Sequence, residues 1–100
     1  MLEKRIEQRL VDRVRGAGGL AMKWTSPGMT GVPDRIVFLP GGRVSFIELK
    51  APGGRPTPLQ LRVHRMLTDL GAEVRVLDSL DAVDAWIDRA TKGGGDAGPR

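Results

Sequence analysis

Two runs rich in Ile, Val and Phe, Asp34 to Leu39 and Val44 to Leu49, flank the tripeptide Pro40-Gly41-Gly42. That is the signature of a β-hairpin, and it constrains the fold more than any other stretch of the chain. Both runs are apolar at consecutive positions, Ile36-Val37-Phe38-Leu39 above all, so the sheet is expected to be covered over much of both faces. Yet Asp34, Glu48 and Lys50 stand inside or at the ends of these runs. Charges rarely enter such a sheet unpaired. A turn centred on Gly41 sets Asp34 directly opposite Glu48, and the two-residue period of a strand puts Lys50 on the face of Glu48. Two carboxylates and an ammonium then converge.

Carboxylates this close repel unless a cation lies between them, and a hard divalent ion prefers oxygen ligands. Metal-bound water is acidified, and a neighbouring lysine can orient it or offset charge on a phosphate, so the triad suits metal-assisted phosphodiester hydrolysis. The competing reading is an ion pair at the sheet edge, with Asp34 or Glu48 held by Lys50 or Arg35.

The rest of the chain supports an α/β domain. Leu2, Ile6, Leu10 and Val14 recur every four residues and predict a helix over about residues 2–15. Glycines at 16, 18 and 19 end it, Leu20 to Trp24 reads as a short strand, and Thr25 to Pro33 as a loop. Thr57-Pro58-Leu59-Gln60 is a helix start, with Thr57 at the N-cap and Gln60 at the capping-box position, and Leu59, Val63, Met66, Leu67 and Leu70 are expected to form its buried stripe. Glu73 to Leu77 alternates as a strand, and Ser79 caps a last helix bearing Leu80, Val83, Trp86 and Ile87. The expected order is α-β-β-β-α-β-α, a central mixed sheet flanked by helices. Residues 1–90 would form the domain, and the glycine-rich residues 91–100 a flexible tail.

Composition narrows the chemistry. The 100 residues include no cysteine and one histidine, His64, which excludes disulfides, thiolate nucleophiles and sulfur-ligated zinc and favours a cytoplasmic location. Sixteen Lys and Arg against twelve Asp and Glu give a net charge of +4, which suits an anionic partner such as nucleic acid. No apolar run is long enough for a membrane span, and no membrane partner is expected.

Gly31-Val32-Pro33-Asp34-Arg35 followed by Ile47-Glu48-Leu49-Lys50 resembles the PD-(D/E)XK nuclease signature, with its restriction-endonuclease-like core. Together with Lys23-Trp24-Thr25-Ser26-Pro27-Gly28, Ala51-Pro52-Gly53 and Thr57-Pro58-Leu59-Gln60, it is similar to the VRR-NUC branch of that superfamily, in its stand-alone form from phages and prophages. The resemblance spans about residues 2–90, with no departure at the three central positions.

It implies a metal-dependent DNA endonuclease using Mg²⁺ or Mn²⁺. Asp34, Glu48 and the backbone carbonyl of Leu49 would be metal ligands, and Lys50 would position or activate the attacking water. A glutamate on the first helix would complete the acidic cluster, with Glu7 the best match and Glu3 the alternative. Gln60 matches a glutamine on the helix after the motif. Lys23, Ser26, Arg35 and Arg55 would contact DNA. The resemblance further implies a homodimer acting on branched DNA such as a four-way (Holliday) junction. Alternatives are a nicking or flap-type nuclease of phage replication or repair, and a non-catalytic DNA-binding accessory protein. His64 is expected to be a partly exposed structural side chain, and Trp24 and Trp86 to belong to the core.

Overall fold

The computed structural model describes residues 2–96, with side chains to Lys92. The elements follow the expected order: α1 (Leu2–Gly16), β1 (Leu20–Lys23), β2 (Arg35–Leu39), β3 (Arg43–Leu49), α2 (Pro58–Asp69), β4 (Glu73–Leu77) and α3 (Leu80–Asp96). The four strands form one mixed sheet in the order β1-β2-β3-β4, antiparallel at the first two pairings and parallel at the last. A parallel pair needs a crossover, which α2 supplies between β3 and β4. Among the described residues, no helix is long and apolar enough to cross a membrane.

The hairpin has the register the turn demands. Gly41 and Gly42 take φ of 90° and 83°, which side chains disfavour, and Arg35 then pairs with Ile47 and Leu39 with Arg43. One step beyond, Asp34 lies level with Glu48. Gly19 matters differently: a Cβ there would lie 2.3 Å from the Phe38 carbonyl oxygen, so only glycine lets α1 turn directly into the edge strand.

One face of the sheet is fully covered. Val37, Leu39, Ile47, Leu49 and Leu77 pack against Ile6, Leu10 and Val14 of α1 and against Val83, Trp86, Ile87 and Ala90 of α3. Arg9 and Arg13 clasp Asp84 at 2.6 and 2.9 Å and tie these two helices together. Behind β3 and β4, Glu73 is a polar hub. It accepts hydrogen bonds from Ser45 at 2.6 Å, from Arg43 at 2.9 Å and from Trp86 Nε1 at 3.2 Å. These donors outweigh its burial and hold its carboxyl down at about 2.

The opposite face departs from expectation. Only α2 packs there, and Leu20, Met22, Phe38 (41% exposed), Val44 and Val76 remain open to solvent. The phase of α2 also differs. Leu59, Met66 and Leu70 are exposed, Leu70 by 86%, whereas Val63 and His64 are buried and Gln60 and Leu67 half-buried. The inward set 60, 63, 64, 67 keeps the helical spacing but is rotated toward two polar side chains, and both of them reach a buried carboxylate of β3. The last helix runs to Asp96, past the domain end expected at residue 90. Propagation adds a hydrogen bond for each residue once a helix is formed. Residues 97–100 of the expected tail lie outside the described residues.

Candidate active site

Glu48 is 1% exposed, and α2 binds both of its oxygens. Gln60 donates Nε2–H to Oε2 at 3.1 Å, and His64 Nε2 lies 3.4 Å from Oε1. Lys50, on the same face of β3 one period further on, places Nζ 3.6 Å from Oε2. Burial, and then the charge of Asp34, push the Glu48 carboxyl up to about 7 against the opposing pull of Lys50. Asp34 itself sits where the loop enters β2, and its Oδ2 accepts the Leu49 N–H at 2.8 Å. The backbone of Asp34 continues the sheet as well, its carbonyl accepting from Trp24 N–H at 3.0 Å. Asp34 is thus fixed by main-chain bonds beside the strand that carries Glu48, whose carboxylate is held by side chains.

Gln60 reaches Glu48 because it is locked at its own helix end. Thr57 Oγ1 accepts from Gln60 N–H at 3.1 Å, while Gln60 Oε1 accepts from Thr57 N–H at 2.9 Å. With its oxygen committed to the cap, the amide can only present Nε2–H to Glu48. The capping role and the site role read from the sequence coexist in one side chain.

In front of Asp34 opens a cleft of about 230 Å³, lined by Glu3, Glu7, Lys23, Trp24, Thr25, Asp34 and Leu49. Trp24 forms one wall and packs on Phe46 with ring centroids 5.3 Å apart, so it is half-buried at the cleft instead of sitting in the core. Trp86 is in the core as expected. Both candidate glutamates of α1 line the cleft, but Glu7 is held by Arg35, at 2.9 Å to Nη2 and 3.0 Å to Nε. Arg35 also donates to the Ala21 carbonyl at 2.9 Å. Among the described residues, no three His, Cys, Asp or Glu side chains form a metal-binding group. Asp34 and Glu48 are neighbours, and Glu7 stands at the cleft in an ion pair with Arg35.

The expected DNA contacts divide. Lys23 and Arg55 are exposed and Ser26 is half-buried, whereas Arg35 is spent on α1 and β1 and has no free fork for a phosphate. The reading of His64 as a partly exposed structural residue is corrected: it is 7% exposed and faces Glu48. Burial, and then the nearby Lys50 charge, lower its pKa. The available signal was its position four residues after Gln60, on the same helical face.

The donor chemistry fits a hard divalent cation. Two carboxylates, one with its proton affinity raised by burial and then by the charge of the other, adjoin the Leu49 main chain, and Mg²⁺ commonly takes only one or two carboxylates while keeping several waters.

A mixed sheet with helices on both faces, carrying Pro-Asp at the entry to one strand and Glu-x-Lys at the end of the next, defines the PD-(D/E)XK class. Comparison with known proteins narrows the class. The sequence is 57% identical over 79 residues to "Putative nuclease p44" of Acyrthosiphon pisum secondary endosymbiont phage 1, which covers 79% of this chain and 85% of that protein. A solved VRR_NUC domain is similar at 36% identity with a TM-score of 0.84, covering 88% of this chain and 96% of that one. No family model matches the sequence. The chain belongs to the VRR-NUC family.

Proposed function

We propose that this protein is a divalent-metal-dependent DNA endonuclease. The observation that carries this reading is the buried Glu48, set against Asp34 with Lys50 3.6 Å away. Burying one carboxylate beside a second costs stability, and a binding protein gains nothing from it. Asp34, Glu48 and the Leu49 carbonyl would hold Mg²⁺ or Mn²⁺. When bound, the ion supplies Lewis acidity and an acidified water.

The chain's own groups do the rest. Lys50 Nζ–H donates to the attacking water or to a non-bridging phosphate oxygen and offsets the charge that builds there. The water oxygen bonds to phosphorus and one of its protons passes to solvent, while the bond from phosphorus to the leaving deoxyribose oxygen breaks and that oxygen takes a proton from solvent. Gln60 keeps Glu48 from turning away. Lys23 at the cleft, with Arg55 and Ser26 beyond it, would hold the DNA backbone.

Branched DNA and a homodimer are the finer parts of the proposal. A two-fold pair would bring two clefts to two strands, and the apolar side chains left open on the sheet, Leu20, Met22, Phe38 and Val44, are the patch a second copy would cover. The test is cleavage of a labelled four-way junction and a matched linear duplex by wild type and Glu48→Gln, each with Mg²⁺, Mn²⁺ and EDTA. Sedimentation of the same samples reads the oligomeric state. Metal-dependent cutting that Glu48→Gln loses is expected, with the junction preferred. Binding without cutting in every metal would leave an accessory DNA-binding protein instead.

A further inference from the structure

We infer that His64 is a positioning residue for Glu48: with Gln60 it forms a two-point clamp from α2 that sets the orientation in which the carboxylate meets a divalent cation. This rests on the metal-dependent reading of the site above. His64 and Gln60 lie one turn apart on the inward face of α2, and each addresses a different oxygen, His64 the Oε1 at 3.4 Å and Gln60 the Oε2 at 3.1 Å. Gln60 alone fixes one atom and leaves the carboxylate free to rotate about it. A second contact from the same rigid helix removes that freedom. Each carboxylate oxygen has about two lone-pair directions, so Oε1, which faces His64 alone, keeps capacity for another partner, while Oε2 faces both Gln60 and Lys50.

The placement is specific to this contact. Glu48 is the one polar partner of the His64 ring among the described residues, and the main-chain carbonyl of His64 is engaged separately by Thr68 Oγ1 at 2.8 Å. A residue whose task was to fill space would be apolar here, like its neighbour Val63. Drawing His64 inward instead leaves Met66 and Leu59 in solvent. Residues that hydrogen-bond to metal-ligating carboxylates tune metal affinity typically by 10–100-fold.

The experiment uses two polar replacements that differ in reach. In His64→Gln the amide nitrogen falls near the position of Nε2 and can still donate to Oε1. In His64→Asn it falls near Nδ1 and cannot. Binding of Mn²⁺ alone, without DNA, is measured by calorimetry and by the electron paramagnetic resonance of the free ion, beside melting temperatures in EDTA. The expected result is a Kd for His64→Gln within about threefold of wild type and a Kd for His64→Asn weaker by about 10–100-fold, with similar melting temperatures for both. Equal affinity in all three proteins, or equal weakening in both variants, overturns the clamp. Absence of Mn²⁺ binding to wild type overturns the metal reading itself, so the two failures are distinguishable.

Discussion

Replacing Glu73 by Gln tests what holds β3, the strand that carries Glu48 and Lys50, in place. The carboxylate collects Ser45 Oγ–H, three N–H contacts of Arg43 between 2.9 and 3.2 Å, Arg75 Nε–H at 3.2 Å and Trp86 Nε1–H at 3.2 Å. Every one of these partners donates. Glutamine keeps the shape but turns one acceptor oxygen into an NH₂ group, which must face a donor. The magnitude follows from the shift of the Glu73 carboxyl from 4.5 to about 2, which is worth about 3 kcal/mol at neutral pH. Because the folded-state pKa is depressed, this stability is present above pH 4.5 and is lost as pH falls toward 2. At pH 3 roughly 1.4 kcal/mol should remain. Urea denaturation followed by circular dichroism should therefore show a wild-type advantage of about 3 kcal/mol at pH 7 that shrinks by roughly half at pH 3. In a chain of this size that corresponds to on the order of 10–20 °C in Tm. A gap of the same size at both pH values would refute the electrostatic origin, and no gap at pH 7 would refute the hub altogether.

Two further substitutions separate the frame from the site. Arg35→Met removes the bonds to Glu7 and to the Ala21 carbonyl and should cost about 2 kcal/mol in a urea titration, while DNA affinity measured well below the melting temperature changes less than about twofold. A strong loss of affinity in a fully folded Arg35→Met would return this side chain to the DNA contacts. Thr57→Ala opens the capping box and should cost about 1 kcal/mol, and it should also lower cleavage, because the same bonds aim the Gln60 amide at Glu48. Loss of stability with cleavage intact would show that Gln60 finds Glu48 without its cap.

The parts of this fold that were legible in the sequence are those governed by local rules. Pro40-Gly41-Gly42 dictated a turn, the turn dictated a register, and the register brought Asp34 level with Glu48 before any long-range contact had to be known. The capping box at Thr57 and Gln60 is equally local, since both partners lie within four residues. The fate of Arg35 was not legible. Its choice between a phosphate and Glu7 depends on how α1 lies across the sheet, and the α1 partner is 28 residues away in the chain. The Glu73 hub escaped notice for a similar reason. A glutamate at the start of an alternating strand looks solvated until Ser45, Arg43 and Trp86 arrive from two other elements.

The rotation of α2 shows why a hydrophobic pattern can misplace a helix beside an active site. Leu59, Val63, Met66, Leu67 and Leu70 make a continuous apolar stripe, and burying it would have gained about 1.5–3 kcal/mol for each large side chain. The helix instead leaves Leu59, Met66 and Leu70 in solvent and turns Gln60 and His64 inward. The reason lies on β3. Glu48 is almost wholly buried, and an unpaired buried charge costs more than an exposed leucine. Burial, and then the charge of Asp34, push its carboxyl up to about 7 against the pull of Lys50. A phase set by apolar burial alone would have left that carboxylate with Lys50 as its one partner. The exposed apolar side chains of α2 are thus one consequence of keeping a carboxylate in the interior. The same choice puts His64 within reach of Glu48, where no pattern of hydrophobicity would have placed it.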